Sequence, residues 1–406
     1  MKITITCSIL VAVTLFVSCK ETSEKAKTEF KKGTYGYDSA FLAKYDSSII
    51  ELKDESGSAR LLISHTWQGR VMTSTSTGPE GASYGWINYD LLASGKKKKQ
   101  FNPVGGEERL WLGPEGGQFS IYFAPGDSFK INKWQVPGPI DTIPFKAEVG
   151  SGAQAQFAAE AVVKNRSTYQ FNMFIERRVR LLRSPETESI LGAKIPQGVQ
   201  VVAYETHNRI ENKSPNMWRK ETGLLSIWLL GMMTPTDSTM IMIPFQPKAD
   251  AKGLITTNYF GEIPADRLTI KDSVLFFKAD GKYRSKIGLP PSIAKPMAAS
   301  FDFSRNILTF IIFPVNDEGM YMNSKWELQS DPYSGDVVNA YNDGPLADGG
   351  QLGPFYELES SSSVKELKRG ESLSYIQVTC HLEGDYEGLN ELSKKVLGVD
   401  LSELNK

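Results

Sequence analysis

Short strand-like segments recur along most of this 406-residue chain, and they constrain the fold more than any other feature. They are rich in Val, Ile, Phe, Tyr and Thr and are separated by Gly, Pro and Asn-Asp turns, which is typical of β-strands joined by tight loops. The sequence therefore predicts an all-β protein, a large antiparallel β-sandwich. The clearest segments are Arg60–Ser64, Ser120–Phe123, Phe171–Leu182, Gln200–Asn212, Thr239–Phe245, Val274–Phe277, Ile307–Val315 and Ser372–His381.

Helical periodicity is found in one place, where Leu389, Leu392 and Val396 repeat near the C-terminus. It predicts a short C-terminal helix. No change of composition marks a domain boundary between Tyr35 and Gly384. We therefore expect residues 35–406 to form a single domain.

The first residues resemble a bacterial lipoprotein signal. A basic start is followed by the uncharged run Ile3–Val17, which is too short for a comfortable membrane span and ends in Ser18-Cys19. Phe16 departs from the Leu usual three places before the cysteine. The resemblance implies a signal peptide over residues 1–18, a lipid on Cys19 and a flexible tether over residues 19–34. The protein would then be exported and anchored to a membrane of a bacterial cell envelope; the alternative is an ordinary cleaved signal that leaves a free cysteine.

Charge and motif content exclude several classes of function. The chain has 46 Lys and Arg against 47 Asp and Glu, without the basic excess of nucleic-acid-binding proteins. Its three histidines, His65, His207 and His381, form no zinc-binding spacing, and neither a Walker loop nor a Gly-x-Ser-x-Gly elbow is present. Cys380 lies in a strand-like run and is interpreted as a buried hydrophobe. We expect no cofactor, no metal and no nucleic-acid partner.

Four segments combine polar and aromatic residues in the way that carbohydrate recognition requires. Planar Asn, Asp, Glu and Arg groups bind neighbouring hydroxyls, while Trp and Tyr faces pack on the apolar side of a sugar ring. The segments are Gly105–Gly117, Thr206–Asn212 with Trp218 to Glu221, Asp280–Lys286, and Tyr333–Pro345 with Gly353–Ser360. From them we take as candidate sugar-binding residues Arg109, Glu115, Asn208, Trp218, Arg284, Lys286, Asn342 and Asp343.

Structural interpretations of several of these residues stay open. Trp111 and Trp228 fit a core as well as a sugar platform, and Arg109 could pair with Glu107 or Glu108. Asn342-Asp343-Gly344 could simply be a tight turn.

The strand-like stretch Phe355–Glu359 contains two carboxylates. Strand alternation places Glu357 and Glu359 on one face, with Tyr356 and Leu358 on the other. At roughly 7 Å apart by strand rise, two like charges can raise one pKa and leave the other group ionised, which suits acid–base work on a sugar. A solvated sheet face or an edge paired with arginine is the competing interpretation.

Several of these stretches together carry a resemblance to a known family. GGEERLWLGPEGG, HNRIENKSPNMWRKETGLLSIWLLGM, NYFGEIPADRL, DGKYRSKIGL, YNDGP and LGPFYELESSS resemble a family of uncharacterised bacterial secreted proteins that is similar to galactose mutarotases and their carbohydrate-binding relatives. The match is collinear and covers essentially everything after the tether. It implies a large antiparallel supersandwich with a sugar-sized cleft on one concave face.

The resemblance also implies roles for single residues. Aldose epimerases have a Glu on a late strand before a Leu-x-x-Gly-Glu stretch, so Glu357 or Glu359 stands at the general-base position. Those enzymes place a proton-donating His after a middle Asn-containing strand, whereas no His lies between Asn212 and Trp218 here. This departure favours binding over epimerisation. His207 or Arg109 is then the candidate for the group opposing the base.

The leading hypothesis is a lipid-anchored carbohydrate-binding protein of mutarotase-like fold that acts, if it is catalytic, at a sugar's anomeric centre. Two alternatives remain: a glycoside hydrolase or lyase using the Glu357/Glu359 pair, and a non-catalytic glycan-binding lipoprotein of the envelope.

Overall fold

Buried and partly exposed residues alternate along the long strands, and this alternation determines which face of each sheet packs in the interior. In the strand Gln170–Leu181, Phe171, Met173 and Ile175 are buried while the residues between them are partly exposed. Such a strand buries one face against a second sheet and leaves the other face to solvent or to a covering helix. The computed structural model describes residues 29–150, 153–346 and 349–404.

Eighteen strands and five α-helices form in these ranges. The helices are α1 Tyr35–Tyr45, α2 Tyr89–Ser94, α3 Ser184–Leu191, α4 Ala251–Leu254 and α5 Tyr386–Leu397. The strands are β1 Ile49–Lys53, β2 Arg60–Ser64, β3 Arg70–Thr75, β4 Arg109–Gly113, β5 Lys146–Val149, β6 Gln154–Lys164, β7 Gln170–Leu181, β8 Val199–Asn212, β9 Ser226–Met233, β10 Thr239–Pro244, β11 Leu268–Lys271, β12 Val274–Lys278, β13 Ser285–Leu289, β14 Met297–Asp302, β15 Ile307–Ile312, β16 Val338–Asn342, β17 Tyr356–Ser361 and β18 Ser372–Gly384.

The strands form three sheets whose neighbours pair antiparallel. The ten-stranded sheet has the order β11-β12-β10-β14-β15-β18-β8-β7-β6-β5, the five-stranded sheet β13-β16-β17-β9-β4, and the small sheet β1-β2-β3. The inner faces of the two larger sheets share one hydrophobic core, to which Leu110, Leu358, Ile175 and Ile210 belong. The predicted all-β antiparallel sandwich is confirmed.

A layer of charged groups is also buried between the two larger sheets. Arg177 of β7 donates to Glu108 Oε1 at 2.8 Å, to Asn208 Oδ1 at 2.6 Å and to the carbonyl of Gly69 at 2.8 Å. Gln377 of β18 donates to the other oxygen of Glu108 at 2.8 Å. All of these hydrogen-bonding groups face the sandwich interior. We call them the interior charge cluster, and their hydrogen bonds hold the two sheets together.

The outer face of the ten-stranded sheet is divided into a covered and an uncovered part. Helix α5 begins at the Asp385 cap and packs Leu389 and Leu392 onto strand residues that include Cys380 and Phe310. Both the C-terminal helix and the buried Cys380 agree with the sequence prediction. On the uncovered part, β6, β7 and β8 present polar side chains.

Two features of the fold differ from the prediction. Residues Ser120–Phe123 form no strand, and Ile121 to Phe123 are bends. The N–H of Ile121 bonds the carbonyl of Pro114, and that of Tyr122 bonds the Ser120 hydroxyl, so no ladder forms. Helices α1 to α4 were also missed. In α1 the buried side includes Gly36 and Asp38, so no apolar stripe marks the helix.

The predicted signal peptide over residues 1–18, Cys19 and most of the predicted tether lie outside the described residues. Thr34, the last residue of that tether, already belongs to the fold, because it caps α1 and bridges Ala82. Within the described residues no helix is long and apolar enough to cross a membrane.

Candidate functional site

The alternation predicted for Glu357 and Glu359 on β17 is confirmed. Tyr356 points inward, where its hydroxyl is 2.8 Å from the Ser300 hydroxyl of the ten-stranded sheet, and Leu358 is fully buried in the core. Glu357 and Glu359 therefore lie together on the outer face of the five-stranded sheet. They are nevertheless only 5% and 0% exposed, because loops cover this face.

Each of the two carboxylates has its own cation, supplied by a different strand. Arg109 Nη2 of β4 is 2.8 Å from Glu357 Oε1, and Lys286 Nζ of β13 is 2.8 Å from Glu359 Oε2. The indole Nε1 of Trp228 on β9 donates to the same Glu359 oxygen at 3.0 Å. The alternative pairing of Arg109 with Glu107 or Glu108 does not occur, because those two glutamates face the sandwich interior.

Aromatic rings surround the two ion pairs. The guanidinium carbon of Arg109 lies 4.2 Å from the centroid of the Trp111 ring, and Lys286 Nζ lies 5.0 Å from that of Trp228. Trp111 contacts both Trp228 and Trp134, at centroid distances of 5.6 and 6.2 Å. Trp111 and Trp228 are buried, as a core interpretation requires, but they also flank the charged groups, as a platform would.

Four buried polar atoms of this cluster have no hydrogen-bond partner in the described part of the chain. They are Nε of Arg109, Oε1 of Glu359, and Nε1 of Trp111 and of Trp134. Leaving a buried donor or acceptor unsatisfied costs about 1–3 kcal/mol. A ligand that offers both hydroxyl donors and hydroxyl acceptors would recover that cost, so the arrangement is suited to a polar molecule.

Burial sets the protonation behaviour of the cluster. It raises the pKa of Glu357 to about 7; Arg109 opposes this rise and Glu359 adds to it. Burial alone would lower the pKa of Lys286, but Glu359 and Glu115 together raise it above its usual value. Glu357 can therefore gain or lose a proton near neutral pH, while Lys286 keeps its charge.

Glu115 is a third carboxyl group of the cluster. Burial raises its pKa, Lys286 acts against the rise and Glu359 adds to it. Hydrogen bonding by the indole N–H groups of Trp326 and Trp134 stabilises the charged form and so lowers this pKa. The contact of Trp134 Nε1 does not meet the geometry of a full hydrogen bond. We call Arg109, Glu115, Lys286, Glu357 and Glu359, with Trp111, Trp134, Trp228 and Trp326, the carboxylate–indole site.

Arg284 and Asp343 lie beside this site and are joined through Tyr341. The Tyr341 hydroxyl donates to Asp343 at 2.8 Å and accepts from Arg284 Nε at 3.3 Å. Burial raises the pKa of Asp343, which Tyr341 lowers in part. Arg284 stacks on Phe260, whose ring is 45% exposed, so this group connects the buried site to the surface.

Three predicted site residues lie away from the glutamates, and one has a structural role. Asn208 is buried against Arg177 between the sheets, and the Trp218 indole is buried against Phe171. Because Asn208 points inward, strand alternation places His207 on the outer face of the ten-stranded sheet, the opposite side of the molecule from Glu357. The pairing of His207 with these glutamates is therefore wrong. Asn342 has a structural role, because its side chain bonds the backbone of Gly281 and Tyr283 in another loop. The alternative of a tight turn at Asn342-Asp343-Gly344 is wrong, since Asn342 ends β16 and the Asp343 N–H bonds the carbonyl of Phe355.

Three aromatic residues at the site were not among the predicted site residues: Trp134, Trp326 and Tyr259. The Tyr259 hydroxyl donates to Asp336 at 2.5 Å, and its ring lies 5.7 Å from Lys286 Nζ. All three residues lie in loops without a periodic pattern. Their aromatic character between Gly- and Pro-rich turns was the only available signal.

Neutralising Glu357 is expected to stabilise the protein at pH 8. The folded state binds a proton at Glu357 that the unfolded chain releases near pH 4.5, so the resulting stability is present below about 4.5 and is lost as pH rises through about 7. Gln mimics the protonated form. Glu357→Gln should therefore raise the free energy of unfolding at pH 8 by up to about 3 kcal/mol and change it little at pH 4.5.

Denaturant unfolding of the variants at both pH values measures this effect. Glu359→Gln is the matched control with the opposite sign, because the charged Oε2 of Glu359 accepts hydrogen bonds from both Lys286 Nζ and Trp228 Nε1. In Glu357→Gln, by contrast, the amide oxygen can still accept the single hydrogen bond from Arg109. A Glu357→Gln protein less stable than wild type at pH 8 would contradict the assigned pKa.

Comparisons with known proteins place the chain in a family. The model of a family described as "Family of unknown function (DUF6786)" matches residues 33–406. A comparison with curated proteins finds no match.

Solved structures with overall similarity include the Slr1438 protein from Synechocystis sp. PCC 6803, at 13% identity and a TM-score of 0.49 over 83% of this chain and 96% of that one. A galactose mutarotase-like protein from Lactobacillus casei ATCC 334 shares 10% identity, with a TM-score of 0.46 over 82% and 99% of the two chains. A galactose mutarotase related enzyme from Lactobacillus acidophilus shares 9% identity, with a TM-score of 0.43 over 83% and 97%.

Two of these three names mention galactose mutarotase. Because the TM-scores are below 0.5, nothing about this chain's chemistry is inferred from them. The family model, in contrast, spans nearly the whole folded part. The chain belongs to this family of unknown function.

Proposed function

We propose that this protein binds a carbohydrate in the carboxylate–indole site. The observation that carries the proposal is the coincidence of unsatisfied polar atoms with indole faces around Glu359. Sugars present hydroxyls that both donate and accept, together with C–H faces that pack on aromatic rings. The two ion pairs leave little net charge at the glutamates, which favours a neutral sugar over a strongly charged ligand.

These groups support proton transfer at the anomeric centre of a sugar, to and from its anomeric hydroxyl and ring oxygen. With a pKa of about 7, Glu357 can accept the proton of an anomeric hydroxyl at neutral pH. The C–O bond of the ring then breaks as the ring oxygen takes a proton, and closure from the other side of the carbonyl gives the second anomer. Glu115, whose pKa burial raises, is the group we assign to the opposing proton.

A non-catalytic binding protein is the second candidate. None of the three histidines of the chain belongs to the carboxylate–indole site, since His207 and His381 lie elsewhere in the sandwich and His65 immediately follows β2. In this case the same contacts would hold a glycan without accelerating its interconversion.

A thermal-shift panel of neutral mono- and disaccharides tests the binding proposal. We expect at least one sugar to raise the melting temperature of the wild type, and Glu359→Gln to remove the shift. The matched control is Glu160→Gln, the same chemical change at an exposed position of β6. If no sugar stabilises the wild type, or if Glu359→Gln responds as the wild type does, the proposed site is wrong.

The second part of the proposal is a lipid on Cys19 that attaches the protein to a membrane. It is motivated by the uncharged run Ile3–Val17 ending in Ser18-Cys19. Cys19→Ala should move the protein from the membrane fraction to the soluble exported fraction. A variant that stays with the membrane fraction would contradict the lipid anchor.

A further inference from the structure

A polar cavity lies on the uncovered outer face of the ten-stranded sheet, on the opposite side of the molecule from the carboxylate–indole site. Its volume is about 120 Å³. A cavity needs about 10–15 Å³ to hold one water, so this cavity has room for a ligand much larger than a water molecule. The lining residues are Gln156, Glu176, Arg177, Arg178, His207 and Arg209.

One row of side chains crosses this cavity on β6, β7 and β8 and continues to a neighbouring residue of β18. Gln156 of β6 pairs in register with Arg178 of β7, Arg178 with His207 of β8, and His207 with Ile376 of β18. In the described part of the chain, the side chains of Gln156, Arg178 and His207 have no hydrogen bond or ion pair. Ile376 beside them is 42% exposed.

The rows on either side are occupied by ion pairs. On one side Arg209 pairs with Glu176 and Glu211. On the other side Arg180 pairs with Glu186 and Glu205. Lys213 also pairs with Glu211, and Arg183 with Glu186, so the charges of each row balance. Arg178 remains as the guanidinium available to a ligand.

His207 adds a neutral polar group to this row. Burial and then the charge of Arg178 lower its pKa, while Glu205 and Glu176 act in the opposite direction. At neutral pH its imidazole is uncharged and can donate from one nitrogen and accept at the other. The hydroxyl groups of a sugar can accept from the first nitrogen and donate to the second.

We propose that the cavity on β6, β7 and β8 is a second ligand site, for a sugar acid whose carboxylate binds Arg178. The planar guanidinium matches a carboxylate with two parallel hydrogen bonds. Gln156 and His207 then face the hydroxyls, and Ile376 offers an apolar contact to the ring. The site is separate from the carboxylate–indole site, which lies on the other sheet.

Calorimetric titration with glucuronate tests this inference, with glucose and acetate as comparison ligands. We expect the wild type to bind glucuronate more tightly than either of them, and Arg178→Gln to weaken glucuronate binding at least tenfold, as the loss of a charged hydrogen-bond partner implies. Arg180→Gln, two residues along the same strand face, is the matched control and should bind as the wild type does.

Glu359→Gln distinguishes the two sites and should leave glucuronate binding unchanged. The inference is overturned if glucuronate does not bind the wild type, or if Arg178→Gln binds it normally. It is also overturned if Arg180→Gln loses as much affinity as Arg178→Gln, since general surface charge would then explain the binding. Equal affinity for acetate and glucuronate would contradict the sugar part of the assignment.

Discussion

Glu357→Gln is expected to lower the rate at which the protein interconverts the anomers of its sugar by about 100- to 10,000-fold, the usual cost of removing a general base. Gln keeps the shape of the side chain and can still accept the hydrogen bond from Arg109, 2.8 Å away in the wild type. Affinity for the sugar should therefore change little. The measurement is polarimetry of freshly dissolved sugar above the spontaneous rate.

The pH dependence provides a second check on the same residue. The wild-type rate should rise with pH through about 7, as Glu357 loses its proton, and the small residual rate of Glu357→Gln should lack that step. If the wild type binds a sugar without accelerating its interconversion, the non-catalytic alternative is correct. If Glu357→Gln retains the full rate, another group is the base.

Arg177→Met should reduce the free energy of unfolding by about 3–5 kcal/mol, because it leaves the Glu108 carboxylate buried without its cation. Both side chains of the pair are fully buried, and the guanidinium also satisfies Asn208 and the carbonyl of Gly69. The volume of Met fills most of the space, so the loss measures the missing charge rather than a cavity. Denaturant unfolding followed by tryptophan fluorescence gives the value.

Arg180→Met is the matched control on the same strand. Its guanidinium is 33% exposed and pairs with Glu186 and Glu205 at the surface, so we expect less than about 1 kcal/mol. Equal effects of the two substitutions would contradict the assigned role of the interior charge cluster.

The fold was largely predictable because local patterns determine it. Along β7 and β8 the alternation of apolar residues gave the strand limits to within a residue or so, and at β17 it placed Glu357 and Glu359 on one face. The C-terminal helix was marked by Leu389 and Leu392, which pack on the sheet. Such patterns follow from side-chain direction within one element.

The site was only partly predictable, because alternation does not say which face of a strand is turned inward. His207 and Asn208 are consecutive residues of β8 and point to opposite faces of the sheet. Asn208 points into the sandwich, where it accepts a hydrogen bond from Arg177 of β7. The histidine thereby faces away from the glutamates. Trp134 and Trp326 come to the site from loops, whose paths depend on tertiary contacts.

The most direct test of the carbohydrate site is an NMR titration of the seven tryptophan indole N–H groups. Trp111 and Trp134 have indole nitrogens without a partner in the described part of the chain, whereas the Trp218 indole donates to Ser214 at 3.0 Å in the distant core. Single Trp→Phe variants assign the signals. We predict that a stabilising sugar shifts the indole signals of Trp111 and Trp134 and leaves that of Trp218 unchanged. A sugar that binds without moving the Trp111 and Trp134 signals would contradict the account.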